Sequence, residues 1–177
     1  EGARMFGSFI NLLSDLSAGQ VGESIPRFHD LQWRLKLLKE SIRRNHMDRA
    51  SGVSKETGYV EGVARLMGTV QELGRCGAIP LRITHNDTKI NNVLFDRDRK
   101  GLCVVDLDTV MPGYVHYDFG DGIRTFTNTG EEDSPDPGMV SMDMEKYRAF
   151  AAGFLEGTGN LLNRAERESL HFSGILF

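Results

Sequence analysis

The chain has 177 residues, 40% hydrophobic and 26% charged, which suits one globular domain with a single real core. A net charge of −4 leaves no electrostatic footprint for nucleic acid or an anionic membrane, and no stretch approaches the roughly 18 consecutive apolar residues of a membrane span. No signal-peptide pattern opens the chain, and Cys76 and Cys103 lack metal-ligand spacing, so both are read as buried free thiols of a cytoplasmic protein.

Phe6, Phe9, Ile10, Leu13 and Leu16 recur at helical spacing and predict an amphipathic helix over 3–17. The connector SAGQVGESIPRF follows, with Pro26 marking its end. Phe28, Leu31, Leu35, Leu38 and Ile42 mark one face of a second helix, with Arg34, Lys36, Lys39, Arg43 and Arg44 on its solvated faces. Val60, Val63, Leu66, Met67, Val70 and Leu73 mark a third, ended by the glycines of GRCGAIP. After Pro80 the period changes. LRITHNDTKINNVLFD and GLCVVDLDTV are short β-type runs around the polar tract DRDRKG, which predicts a hairpin turn. Met111 to Gly138, rich in Gly, Pro and Asp, is expected to be a functional loop. Met144, Tyr147, Phe150, Ala151 and Phe154 restore helical spacing, and the last segment opens at Asn163 with Glu166 three residues on, a capping arrangement. The expected fold is mainly α with one small β-hairpin that holds the unusual residues. Glu1 is not an initiator methionine and SLHFSGILF stops inside an apolar pattern, so the chain is expected to be a piece of a longer protein.

Two motifs carry chemistry. CVVDLDTV, an apolar run ending in Asp106 and Asp108, fits either the nucleophile strand of a haloacid-dehalogenase-type phosphatase or the metal-holding strand of a kinase. THNDTKINN places His85, Asp87 and Asn92 at the spacing of a protein-kinase catalytic loop, in which the Asp accepts the hydroxyl proton and the Asn turns back to Mg²⁺. Lys89 adds a cation where a transferring phosphate carries charge. A polar turn with Asp87 and Asn92 satisfying backbone donors is the alternative. Asp106 lies 19 positions after Asp87 on the return strand of the predicted hairpin. That return brings Asp87, Asn92 and Asp106 together as a hard oxygen set for Mg²⁺. In an extended strand Asp108 points to the same side as Asp106, toward metal or substrate, or else pairs with a nearby cation. The literal Asp-Phe-Gly at 118–120 has no apolar strand before it, so Asp118 and Asp121 are read as ordering the following loop, through Arg124.

Together these residues resemble the aminoglycoside phosphotransferase and choline kinase superfamily, with THNDTKINNVLFD, VVDLDTVMPG and YDFGDGIRT most similar to the N-acetylhexosamine 1-kinases. The resemblance is strong over about 80–130 and loose in the flanking helices. It implies the carboxy-terminal lobe of a protein-kinase-like fold, and phosphorylation of the anomeric hydroxyl of an N-acetylhexosamine by ATP and Mg²⁺. It implies Asp87 as base, Asn92 and Asp106 as metal ligands, Lys89 at the γ-phosphate and His85 as a structural buttress. Phe126 is a candidate apolar platform for the sugar, or a plain core aromatic. No glycine-rich nucleotide loop or ATP-phosphate lysine is found, so the amino-terminal lobe and final helices are expected to lie outside this chain, and the fragment alone is expected to be inactive.

Other readings compete. The phosphatase, with Asp106 as nucleophile, requires alternating strands and helices around a parallel sheet, whereas only a loop, two helices and Lys146 follow Asp108. A metal-dependent glycosyltransferase leaves the His-x-Asp loop unexplained, and neither cysteine begins a sulfatase pattern. A choline or aminoglycoside kinase, or a catalytically dead kinase-like binding module, also fits the motifs. Oligomeric state is not legible.

Overall fold

A computed structural model describes residues 1–130 and 136–177. The first helix, α1 (Gly2–Leu12), ends earlier than the apolar spacing predicts. Of the continued pattern Leu13 is half-buried and Leu16 exposed, so the spacing past Leu12 gains little packing. Helix α2 (Leu31–Arg44) starts after Phe28, where the Asp30 carboxylate caps it by accepting the Trp33 N–H at 3.0 Å. The third predicted helix is two: α3 (Ser54–Met67) and α4 (Thr69–Arg75), divided at Gly68.

Four short strands follow: β1 (Arg82–Thr84), β2 (Val93–Phe95), β3 (Gly101–Val104) and β4 (Met111–Gly113). They form two antiparallel pairs. In one, Val93 faces Val104 across the expected hairpin; in the other, Thr84 faces Met111. The hairpin turn is closed by Asp96, whose carboxylate accepts the N–H groups of Asp98 and Lys100. No parallel sheet occurs among the described residues, which removes the architecture a dehalogenase-type phosphatase requires.

The expected loop of 111–138 is corrected over much of its length. Helix α5 (Val115–Phe126) runs through it, with Val115 to Ile123 all buried; positions 131–135 lie outside the described residues. Gly120 and Gly122 disguise the helix, yet each is a packing requirement. A Cβ on Gly120 would lie 2.6 Å from the Ser173 carbonyl, and one on Gly122 would strike the Phe150 ring.

Helix α6 (Met144–Thr158), capped by Asp143, then α7 (Arg164–Ser169) and α8 (Ser173–Leu176) complete the fold. The core lies between α1, α5 and α6, around Phe6, Ile10, Phe119, Ile123, Phe150 and Phe154. Gly7 and Gly157 let α1 and α6 touch backbone to backbone, since a Cβ on either would strike a carbonyl of the other helix. The capping pair at 163 and 166 forms as expected, with the Asn163 N–H donating to Glu166 and the Glu166 N–H to Asn163. Glu166, fully buried, also receives Arg82 through two bonds of 2.7 and 2.8 Å, tying α7 to β1. Both cysteines are exposed, contrary to expectation; on β3 neither Cys103 nor its neighbour Leu102, on the opposite face of the strand, is covered. No helix among the described residues is long and apolar enough to cross a membrane.

Candidate active site

The segment from Thr84 to Asn92 leaves β1, runs over the start of α5 and re-enters the hairpin. Its backbone is held from below by α5. Asp118 accepts the N–H of His85 at 2.9 Å and that of Asn86 at 2.7 Å, one on each carboxylate oxygen. One helical turn on, Asp121 accepts the Thr88 N–H at 2.7 Å and Arg124 at 2.8 Å. Burial raises the Asp118 carboxyl to about 6, against the lowering pull of its two backbone donors. Asp118 and Asp121 therefore order the loop of Asp87, rather than a loop of their own; the expected Asp121–Arg124 contact is present.

On this support Asp87 reaches the surface, its side chain 23% exposed. One carboxylate oxygen lies 3.2 Å from the Lys89 ammonium, and the other accepts the Asn92 amide at 3.0 Å. The same Asn92 amide nitrogen donates to the Asp87 carbonyl at 2.8 Å. Both amide protons of Asn92 are thus committed to Asp87, and its carbonyl oxygen keeps its lone pairs for another partner.

His85 connects this loop to the second aspartate. Its Nε2 lies 2.9 Å from the Val105 carbonyl, and its own carbonyl accepts the Thr109 hydroxyl at 2.7 Å. The Val105 N–H donates in turn to the Asn92 carbonyl at 2.9 Å. The hairpin thus sets Val105 opposite Asn92, and Asp106 is the next residue. Asp106 has φ 64°, a left-handed conformation that ends the strand and starts a short turn over Leu107–Thr109. This corrects the expectation of an extended run through Asp108. Alternation does not apply there, and Asp108 is exposed, with no hydrogen bond among the described residues.

Phe126, a candidate platform or a plain core aromatic, packs its half-buried ring edge-on against Phe6 and tilted against Phe150 at the margin of the aromatic core. Asp87, Lys89 and Asn92 are in direct contact, and Asp106 directly follows Val105, whose N–H bonds to Asn92.

No group of three or more His, Cys, Asp or Glu side chains that could hold a metal occurs among the described residues. The available donors are instead one amide oxygen, on Asn92, and the exposed Asp106 carboxylate. Such a sparse, all-oxygen set fits Mg²⁺, which keeps waters and takes the rest of its shell from substrate phosphates. Sequence reasoning missed that Asp118 and Asp121 reach back more than 30 positions to hold the N–H groups of His85, Asn86 and Thr88; their spacing, one helical turn apart, was the available signal.

The buried Asp118 carboxylate thus holds the backbone of a His-x-Asp loop to whose Asp the Asn92 side chain returns. Residues 1–168 match the phosphotransferase enzyme family, and the chain belongs to that family.

Proposed function

We propose that the chain is the carboxy-terminal lobe of a sugar kinase that transfers the γ-phosphate of ATP to the anomeric hydroxyl of an N-acetylhexosamine. The observation that carries this reading is the half-buried Asp87 carboxylate that reaches the surface, held by Asn92 and Lys89 on a loop whose backbone is fixed from behind. Asp87 accepts the proton of the hydroxyl as its oxygen attacks the γ-phosphorus. Lys89 sets a positive charge beside the transferring group. Asn92 and Asp106 would hold Mg²⁺, which when bound neutralises charge on the phosphate oxygens. The acceptor has room beside Lys89, where a cavity of about 280 Å³ is lined by Asn91, Arg124, Thr125 and Asn128. Those amide, hydroxyl and guanidinium groups suit a polyhydroxylated acceptor better than a quaternary amine, which calls for aromatic walls.

The test uses the full-length protein and a panel of sugars, choline and aminoglycosides. N-acetylhexosamine 1-phosphate is the expected product, with Asp87→Asn lowering turnover by roughly 10²–10⁴. Asp106→Ala is expected to abolish activity by removing a metal ligand. A covalent aspartyl-phosphate at Asp106 would instead establish a phosphatase, and absence of nucleotide binding a dead binding module.

A further inference from the structure

The peptide unit joining Asn86 to Asp87 has an imidazole at each of its polar atoms, one from the neighbouring His85 and one from the distant His29. Its N–H, on Asp87, donates to His85 Nδ1 at 3.3 Å. Its C=O, on Asn86, lies 3.3 Å from Nε2 of His29. His29 stands outside the catalytic segment, in the connector just ahead of α2, one residue before the capping Asp30. We propose that His29 is a positioning residue for catalysis: its Nε2–H fixes the plane of the Asn86–Asp87 peptide, and so the direction in which Asp87 presents its carboxylate.

Three observations support the assignment. First, the rest of Asn86 is already immobilised, so the carbonyl is the remaining degree of freedom. Its N–H goes to Asp118, its side-chain amide donates to the carbonyls of Thr84 and Thr109, and its backbone sits at φ 65°. Such a left-handed residue relaxes by rotating the peptide that follows it, unless that peptide is pinned. Second, His29 is itself anchored. Gln71 of α4 donates to its carbonyl at 2.7 Å, and its ring packs against both Tyr117 and Phe177, with centroids 4.8 and 4.9 Å away. Third, burial pushes this imidazole down to about 4, so near neutral pH it carries one proton, and the Asn86 carbonyl fixes that proton on Nε2. His85 has the matching arrangement. Its Nε2–H goes to Val105, which leaves Nδ1 as the acceptor for Asp87.

This proposal rests on Asp87 being the base, and the experiment separates the two claims. In the full-length protein, His29→Phe keeps an aromatic ring and removes the donor; His29→Gln loses the ring and keeps an N–H at similar reach. His29→Phe is expected to lower kcat ten- to a hundredfold, with KM for ATP and acceptor within about twofold, because the cost is misalignment rather than binding. His29→Gln is expected to recover most of that loss even if its melting temperature is lower. Gln71→Leu, which frees the His29 backbone, is expected to lower kcat severalfold and stands in if His29→Phe does not fold. Wild-type kcat in His29→Phe, or in Gln71→Leu in its stead, overturns the proposal while leaving Asp87 intact. Equal losses in His29→Phe and His29→Gln also overturn it, since ring packing would then be the whole effect. Full turnover in Asp87→Asn overturns the base assignment and this proposal together.

Discussion

Asp87 and Asp106 are presented by stretches built on different principles. Between Thr84 and Thr88 the chain is buried on both sides of Asp87, and its N–H and C=O groups end on side chains from α5, from the α2 connector and from Thr109 ahead of β4. Between Asp106 and Asp108 the side chains are exposed; the backbone is tied at its flanks, Val105 to His85 and Asn92 and Thr109 to His85 and Asn86, with one turn bond from the Val110 N–H to the Leu107 carbonyl. The loop of the proposed base is over-determined by the protein, as expected where a proton acceptor must meet a hydroxyl within a fraction of an ångström. The aspartate turn is fixed at its ends and free at its crest. That suits a ligand whose final geometry is completed by an ion and its phosphates.

The contrast is broken most severely by Asp118→Ala. It strands two buried N–H groups and is expected to cost about 2–4 kcal/mol in equilibrium unfolding, with loss of turnover. A mild effect on both would mean that the loop holds its own shape. An intermediate effect is expected from pH. His29 and His116 are held at about 4 rather than 6.5, so between those values the unfolded chain binds protons that the native chain refuses, and stability falls as pH drops. Asp118, raised from 3.8 to about 6, acts with the opposite sign: the native chain keeps its proton where the unfolded chain loses it. Two histidines outweigh one carboxyl, so the protein is expected to be less stable at about pH 4.5 than at pH 7, and Asp118→Ala should steepen that difference. Denaturant midpoints at both pH values check the sign. The smallest effect belongs to the exposed turn. Asp108→Ala is expected to change stability by less than about 0.5 kcal/mol, so any loss of activity it causes reports on the site alone.

The parts of this arrangement written in short-range spacing were legible in the sequence. His85, Asp87 and Asn92 meet as their spacing predicts, the tract around Asp96 turns the hairpin, and Asn163 with Glu166 forms the cap. What stayed hidden depends on partners far along the chain. Helix α5 reads as a loop because Gly120, Gly122, Asp118 and Asp121 look like turn residues. Only the closeness of α8 and Phe150, and the N–H groups awaiting the two carboxylates, make them helical. Asp106 reads as strand because nothing local announces a left-handed residue. The bond from His29 to Asn86 spans 57 positions, with no spacing rule to reveal it.

The backbone contact of Gly7 with Gly157 bears on the order of assembly. The helix synthesised first in this stretch finds its partner only when α6 has been made, so the contact that closes the core is among the most non-local in the chain. Closing so large a loop is entropically costly and slow. Until it happens, Phe6 has only earlier partners such as His85 and Phe126, and the face of α1 that meets α6 stays exposed, a surface that a chaperone would be expected to recognise.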